Sequence, residues 1–187
     1  MNLGYVKKKV LRMIEEIDTD NPNLTSDPDI KEKLNDVINQ VQFELARLKK
    51  IPAYTTEEVT AGEVFELNTL LDFYQLNVLQ FKNKDGEDAQ YQMIDNMVVF
   101  SEDGTANFFY YKYPEIIDDK TSDKYEFELS QDVLEILPYG VAADLLKSDV
   151  SSNYGAIYNQ EYEKKIQKLD PRYSLDDGIF FEGGVDI

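Results

Sequence analysis

Carboxylates, phenols and hydroxyls are almost the only side chains of this chain that could do chemistry. Its 187 residues include 37 Asp and Glu and 13 Tyr, with no histidine and no cysteine. That composition removes Ser-His-Asp and Cys-His nucleophiles, histidine-ligated metals, cysteine-ligated zinc and disulfides. What remains is acid catalysis by paired carboxylates, as in glycoside hydrolysis, where two acids flank the scissile bond. Glu126 and Glu128 are such a pair, but their spacing puts both on one strand face, beside neither a Gly-rich loop nor an apolar pocket. With so many acids, pairs of this kind arise by chance. Phosphate chemistry has no carrier either: there is no GxxxxGK[ST] and no GxGxxG, and Gly183-Gly184 is only a pair near the end. The chain is therefore expected not to be an enzyme and to hold no cofactor.

Two further groups invite a ligand and have a plainer reading. Asp18, Asp20 and Asn23 resemble the start of a calcium loop. Pro22 and Asn23, however, fill the fifth and sixth positions, where such a loop needs a sharp glycine turn. A turn whose Asx side chains bond local backbone is the better account. Phe108, Phe109, Tyr110, Tyr111 and Tyr113 could stack sugars or bases, yet the chain has no Trp and few Arg or Lys nearby. Alternation along a half-buried strand explains them without a ligand.

The elements that would position these groups fall into two kinds. Helical periodicity predicts a first helix over 3–17, with Val6, Val10, Ile14 and Ile17 on one face and Lys7, Lys8, Lys9 and Arg12 around it. The second helix runs from Pro28 to about Lys50, with Ile30, Leu34, Val37, Ile38, Val41, Leu45 and Leu48 as its apolar stripe. Asn35 and Asn39 face away. Asp27 or Ser26 caps it, and Ile51-Pro52 ends it. From residue 53 the period changes to two. Strands are expected at 54–60, 63–67, 76–82, 89–94, 97–100, 105–113 and 125–129, with a short helical turn at 70–73. Ala61-Gly62 and Asp103-Gly104 read as hairpin turns, the second more strongly. Ser130 caps a third helix in which Pro138 forces a kink or a fresh start near Leu137. A fourth helix begins at Ser151 or Ser152, with Tyr154, Ile157, Tyr158, Tyr162, Ile166 and Leu169 on one side.

The predicted fold is α+β: a helical body formed by residues 1–52 and 130–173, an acidic antiparallel β insert at 53–129, and an extended tail at 174–187. Leu34, Val41, Leu45, Leu145, Ile157 and Ile166 should be core. The net charge of -18 concentrates in the insert, since residues 1–53 balance to zero while residues 54–129 hold -12. Such a surface repels nucleic acid and anionic membrane. No apolar run reaches spanning length, and MNLGYVKKKVLRMIEEI lacks a signal-peptide core, so a cytoplasmic protein is expected.

Two stretches carry a resemblance. One is LTSDPDIKEKLNDVINQVQFELARLKKIPAY. The other is ILPYGVAADLLKSDVSSNYGAIYNQEYEKKIQKLDPRY, followed by the ending EGGVDI. Together they resemble head–tail connector (adaptor) proteins of tailed bacteriophages and prophages of Gram-positive bacteria. The match covers about half of the chain and contains no catalytic motif. Many connectors are nearly all helical, so the β insert departs from the pattern and leaves open which layer of the neck or tail the protein would occupy.

The resemblance implies a structural virion component. It would be an oligomeric ring subunit that docks on the portal, joins the tail and extends the DNA channel. Its partners would be portal and tail proteins. The isolated chain would be a monomer that forms its ring on assembly, first in the host cytoplasm and then at the head–tail interface. Ile179, Phe180, Phe181, Val185 and Ile187 make the tail too apolar for a free terminus. They are candidate partner-binding residues, with folding back on the helical body as the alternative. Two rival functions are an acidic protein-binding module or DNA-mimic inhibitor, and, more remotely, a carboxylate-based hydrolase.

Overall fold

A computed structural model describes residues 1–18, 20, 25–147 and 153–169. It is a mixed helix and sheet structure with antiparallel sheets. By its contacts the chain divides after Ile51 and again before Tyr113. The first unit comprises 1–51 and 113–169, and the second comprises 52–112.

Among the described residues five helices build the first unit: α1 (Leu3–Met13), α2 (Pro28–Leu48), α3 (Gln131–Leu134), α4 (Leu137–Leu145) and α5 (Tyr154–Ile166). The Asn2 side chain caps α1 by accepting from the Tyr5 amide at 2.9 Å. The next free amides, of Leu3 and Gly4, donate to the carbonyls of Tyr125 and Asp123, so the returning chain satisfies the helix start. Asp27, not Ser26, caps α2, its Oδ1 accepting from the amides of Asp29 and Ile30, with Pro28 in the first turn. Pro138 lies in the first turn of α4, so the proline starts a new helix after α3 rather than kinking one. Helix α4 packs against α1, α2 and α5.

The core of this unit joins Val6, Val10 and Leu11 to Leu34, Ile38, Val41 and Leu45 of α2 and to Val133, Leu137 and Val141. Burying each such side chain is worth roughly 1.5–3 kcal/mol. Leu145 and Ile166 are half-buried against this core. Three expected stripe members are not in it: Leu48 is 43% exposed, Tyr154 55% and Ile157 49%. Leu48 sits in the final turn of α2, past the crossing with α4. In α5 the buried face runs through Gly155, Tyr158, Tyr162 and Ile166, and Ile157 lies 100° around the helix from Tyr158. Ser130 occupies the start of α3 but makes no side-chain cap bond. The expected caps Ser151 and Ser152 lie outside the described residues.

Residues 125–129 correct the sequence reading. They form no strand of the β unit. Among the described residues their only sheet-like contact is a bridge from Glu126 to Asn2, and Phe127 and Leu129 are buried in the helical core. The alternation is real, but the face it buries is presented to helices.

The second unit holds β1 (Ile51–Val59), β2 (Val64–Glu66), β3 (Phe73–Asn83), β4 (Tyr91–Ile94), β5 (Met97–Phe100) and β6 (Gly104–Lys112). The strand orders are β1-β6-β3 and β2-β5-β4. Pairing of β3 with β6 and of β5 with β2 and β4 is antiparallel. Aromatic contacts join the sheets: Phe65 stacks on Phe108 at 4.7 Å and Phe81 meets Phe100 at 4.7 Å. Asp95-Asn96 makes a tight turn between β4 and β5, with Asp95 at φ 52. The two hairpin readings of the sequence are overturned. Ala61-Gly62 does not close a hairpin, because β1 lies beside β6 while β2 pairs with β5. Asp103-Gly104 carries the chain from one sheet to the other, and the Asp103 carboxylate accepts from the Ala61 amide at 2.8 Å. Gly104 is glycine because a Cβ there would stand 2.1 Å from the Lys82 carbonyl oxygen. The helical turn expected at 70–73 lies three residues earlier, as a 3-10 turn at Leu67–Thr69.

Candidate interaction surfaces

The partner-binding candidates Ile179, Phe180, Phe181, Val185 and Ile187 lie outside the described residues. The remaining sequence candidates have definite places. Glu126 and Glu128 are both exposed, flanking buried Phe127, and Glu128 accepts from the Glu115 amide at 3.4 Å. They do not face each other across a cleft. The Asp18 carboxylate accepts from the Asp20 amide at 2.8 Å, a local Asx bond. The aromatic run is packed: Phe108 and Tyr110 are buried in the β core, Phe109 lies 4.8 Å from Tyr54, and Tyr113 lies 5.6 Å from Phe43. Among the described residues no cluster of three or more acidic side chains could hold a metal ion. No described helix is long and apolar enough to cross a membrane.

Three surfaces could engage a partner. The first is an open groove of about 710 Å³ in the helical unit, lined by Val41, Glu44, Gly140, Asp144, Tyr162 and Glu163. Gly140 has no side chain to fill the crossing, so the Tyr162 ring lies against it. Burial, with the Glu44 carboxylate adding to it, pushes the Tyr162 phenol well above its ordinary range. A phenol held neutral in this way can donate a hydrogen bond but cannot act as a base near neutral pH.

The second surface is the basic side of α1. Tyr5, Lys8, Lys9, Arg12 and Met13 line a shallow depression, and Tyr5 is 52% exposed. Lys9 and Lys165 approach the Tyr139 ring at 5.5 and 4.7 Å from its centroid, and Lys7 pairs with Asp123 at 3.4 Å. No acidic residue occurs before Glu15, so this is a positive patch on a chain of net charge -18.

The third surface is on the β unit, where residues 52–112 hold eleven carboxylates and three lysines. Its exposed large apolar side chains include Tyr91, Met93, Ile94 and Met97, all on the β4–β5 hairpin.

Asn35 and Asn39, which periodicity assigned to solvent, turn out to be structural. Asn35, Asn39 and Gln42 form a polar row on α2 that holds the returning segment 115–119. Asn39 both donates to the Ile117 carbonyl at 2.7 Å and accepts from its amide at 2.8 Å. The Gln42 amide nitrogen donates to the Glu115 carbonyl at 2.9 Å, and Asn35 donates to the Asp119 carboxylate at 3.0 Å. Gln42 is fully buried. The i, i+4, i+7 spacing of three amides was the available signal, because amides in such a row can pair a strand-like backbone.

No family model matches the chain, and no curated protein matches it.

Proposed function

We propose that the chain is a head–tail connector subunit: a structural virion protein that docks on a portal, assembles there as a ring and joins the tail. The observation that carries this reading is the packing of the two resembling stretches. Val41 of the first stretch and Gly140 and Tyr162 of the second meet at one crossing, so the residues behind the resemblance form one helical body. In this reading the N- and C-terminal helices are the ring-forming part, and the antiparallel lobe is an insert that carries a docking surface. The chain performs no turnover, and its acidic balance lets DNA pass without adsorbing, since like charges repel.

Deletion of the gene from the phage or prophage that encodes it tests the reading. Induced cells should then accumulate filled or leaking heads and separate, unjoined tails, visible by electron microscopy. Intact, infectious particles from the deletion strain would overturn it. The alternative, an acidic module that binds a basic host protein, predicts normal particles and a host complex that salt dissolves.

A further inference from the structure

Successive side chains of a strand point to opposite faces, and an antiparallel sheet with one solvated face turns polar residues outward. The sheet β2-β5-β4 does not. Its register sets Val64 beside Val99 and Val99 beside Gln92, and Glu66 beside Met97 and Met97 beside Ile94. Side chains directly opposite each other share a face, so these residues form one surface. The other surface is the core side, where Phe65 pairs with buried Val98 and stacks on Phe108. On the outward side Val64 is 56%, Ile94 50% and Met97 40% exposed, with half-buried Val99 between them. Contiguous apolar side chains facing water mark an interaction surface.

The charge around this surface states what covers it. Glu66 lies within it, Glu63 precedes Val64 and Asp95 follows Ile94; all three are exposed. Strands β2, β4 and β5 carry no lysine or arginine. A complementary face is apolar at its centre and positive at its rim.

The chain itself carries such a face. Among the described helices α1 alone has cations and no carboxylate. Tyr5, Lys8, Lys9 and Arg12 stand at i, i+3, i+4 and i+7, on one side of the helix, and with Met13 line its depression. Asp123 engages Lys7, whereas Lys8 and Arg12 have no ion pair among the described residues.

We infer that the outward face of β2-β5-β4 receives the α1 face of a second copy of this chain. Tyr5 and Met13 cover Val64, Ile94 and Met97, while Lys8, Lys9 and Arg12 meet Glu63, Glu66 and Asp95. Like charges oppose α1 meeting α1 and sheet meeting sheet. The contact is therefore head-to-tail, the kind that closes into rings when the rotation allows. One such contact is weak, so free copies pair only transiently, and a portal that gathers many copies multiplies it. Service as the ring contact rests on the connector reading, but the pairing of the two faces does not.

Carbodiimide coupling, which joins a lysine to a carboxylate in direct contact, tests it on the full chain. Equal parts of unlabelled and isotope-labelled protein, concentrated at low salt, should give mixed-label links from Lys8 or Lys9 to Glu63, Glu66 or Asp95. About 1 M salt, where charges are screened within ~3 Å, should remove them. Ile94→Lys and Met97→Lys alter exposed positions and should leave the melting temperature unchanged. Each should cut the yield of mixed links at least about tenfold, by setting a cation against α1. Mixed links that are absent or fall on other carboxylates would overturn the inference. So would Lys8 and Lys9 links confined to one copy, or an undiminished yield from both variants. The expected links in a chain dispensable for joining heads to tails sink the connector reading alone. A chain required for joining that gives no such links sinks this inference alone.

Discussion

Tyr162 lies so close over Gly140 that a Cβ at Gly140 would stand 2.7 Å from its ring Cε2, and equally 2.7 Å from Val41 Cγ1. Three helices, α2, α4 and α5, therefore close on a point where only hydrogen fits. Gly140→Ala gains helix propensity of about 1 kcal/mol but must displace a buried ring. We expect a net loss of about 1–2 kcal/mol, because forced overpacking typically costs ~1–3 kcal/mol. Urea denaturation of the two proteins measures it, and an unchanged or raised midpoint would contradict this crossing.

The amide row of α2 makes a second prediction. Asn39→Ala leaves both the Ile117 N–H and its carbonyl without their partner, at a cost of about 1–3 kcal/mol for each buried group left unpaired. Hydrogen exchange at the Ile117 amide should accelerate more than at the Val41 amide. Equal protection in variant and parent would show that Asn39 does not hold the returning segment.

The Asn39 row also shows where sequence reading ran short. The apolar stripe of α2 was legible because its period is local: Leu34, Ile38, Val41 and Leu45 repeat every three to four residues, and Asp27-Pro28 marks the start. Pro138 fixed the start of α4 for the same local reason. What a polar face meets is decided by chain more than seventy residues away, so Asn35 and Asn39 read as solvated. Sheet partners are equally non-local. Asp103-Gly104 has the composition of a hairpin turn, but its glycine answers to the Lys82 carbonyl of another strand. The surface candidates divide likewise. Lys8 and Arg12 of α1 were visible as charges, whereas the groove beside Gly140 depends on where α2, α4 and α5 meet. The tail candidates Ile179 to Ile187 lie outside the described residues.

Acid should weaken the helical unit through Asp132. The Lys49 ammonium, hydrogen-bonded to its carboxylate, lowers the Asp132 pKa from 3.8 to about 2. A depressed folded pKa means stability that is present above about pH 4 and is lost as pH falls toward 2. The carboxylate is 46% exposed, so solvent screening limits the pair to below about 1 kcal/mol. Asp132→Asn should flatten the fall in stability between pH 4 and 2 by that amount. Identical acid profiles would remove the pair from the account.

At high pH the sign reverses. Burial first, then Glu128 and Glu115, raise the Tyr125 pKa to about 12. The unfolded phenol ionises near 10. Stability from this group is therefore full below pH 10 and drains away as pH climbs toward 12. The Tyr125 hydroxyl is buried with no hydrogen-bond partner among the described residues. Tyr125→Phe should hold or raise the melting temperature at pH 7 and resist alkali better. A clear loss of stability at pH 7 would show that the hydroxyl has a partner.

Assembly on a portal is the central claim, and direct binding tests it most closely. The purified chain, added to purified portal rings of the same phage, should bind as a closed ring seen by electron microscopy. Native mass spectrometry should give a fixed number of copies per portal, while the chain alone stays monomeric. A chain that remains monomeric and unbound beside intact portal rings, in a strain where its gene is required for joining heads to tails, would contradict the account.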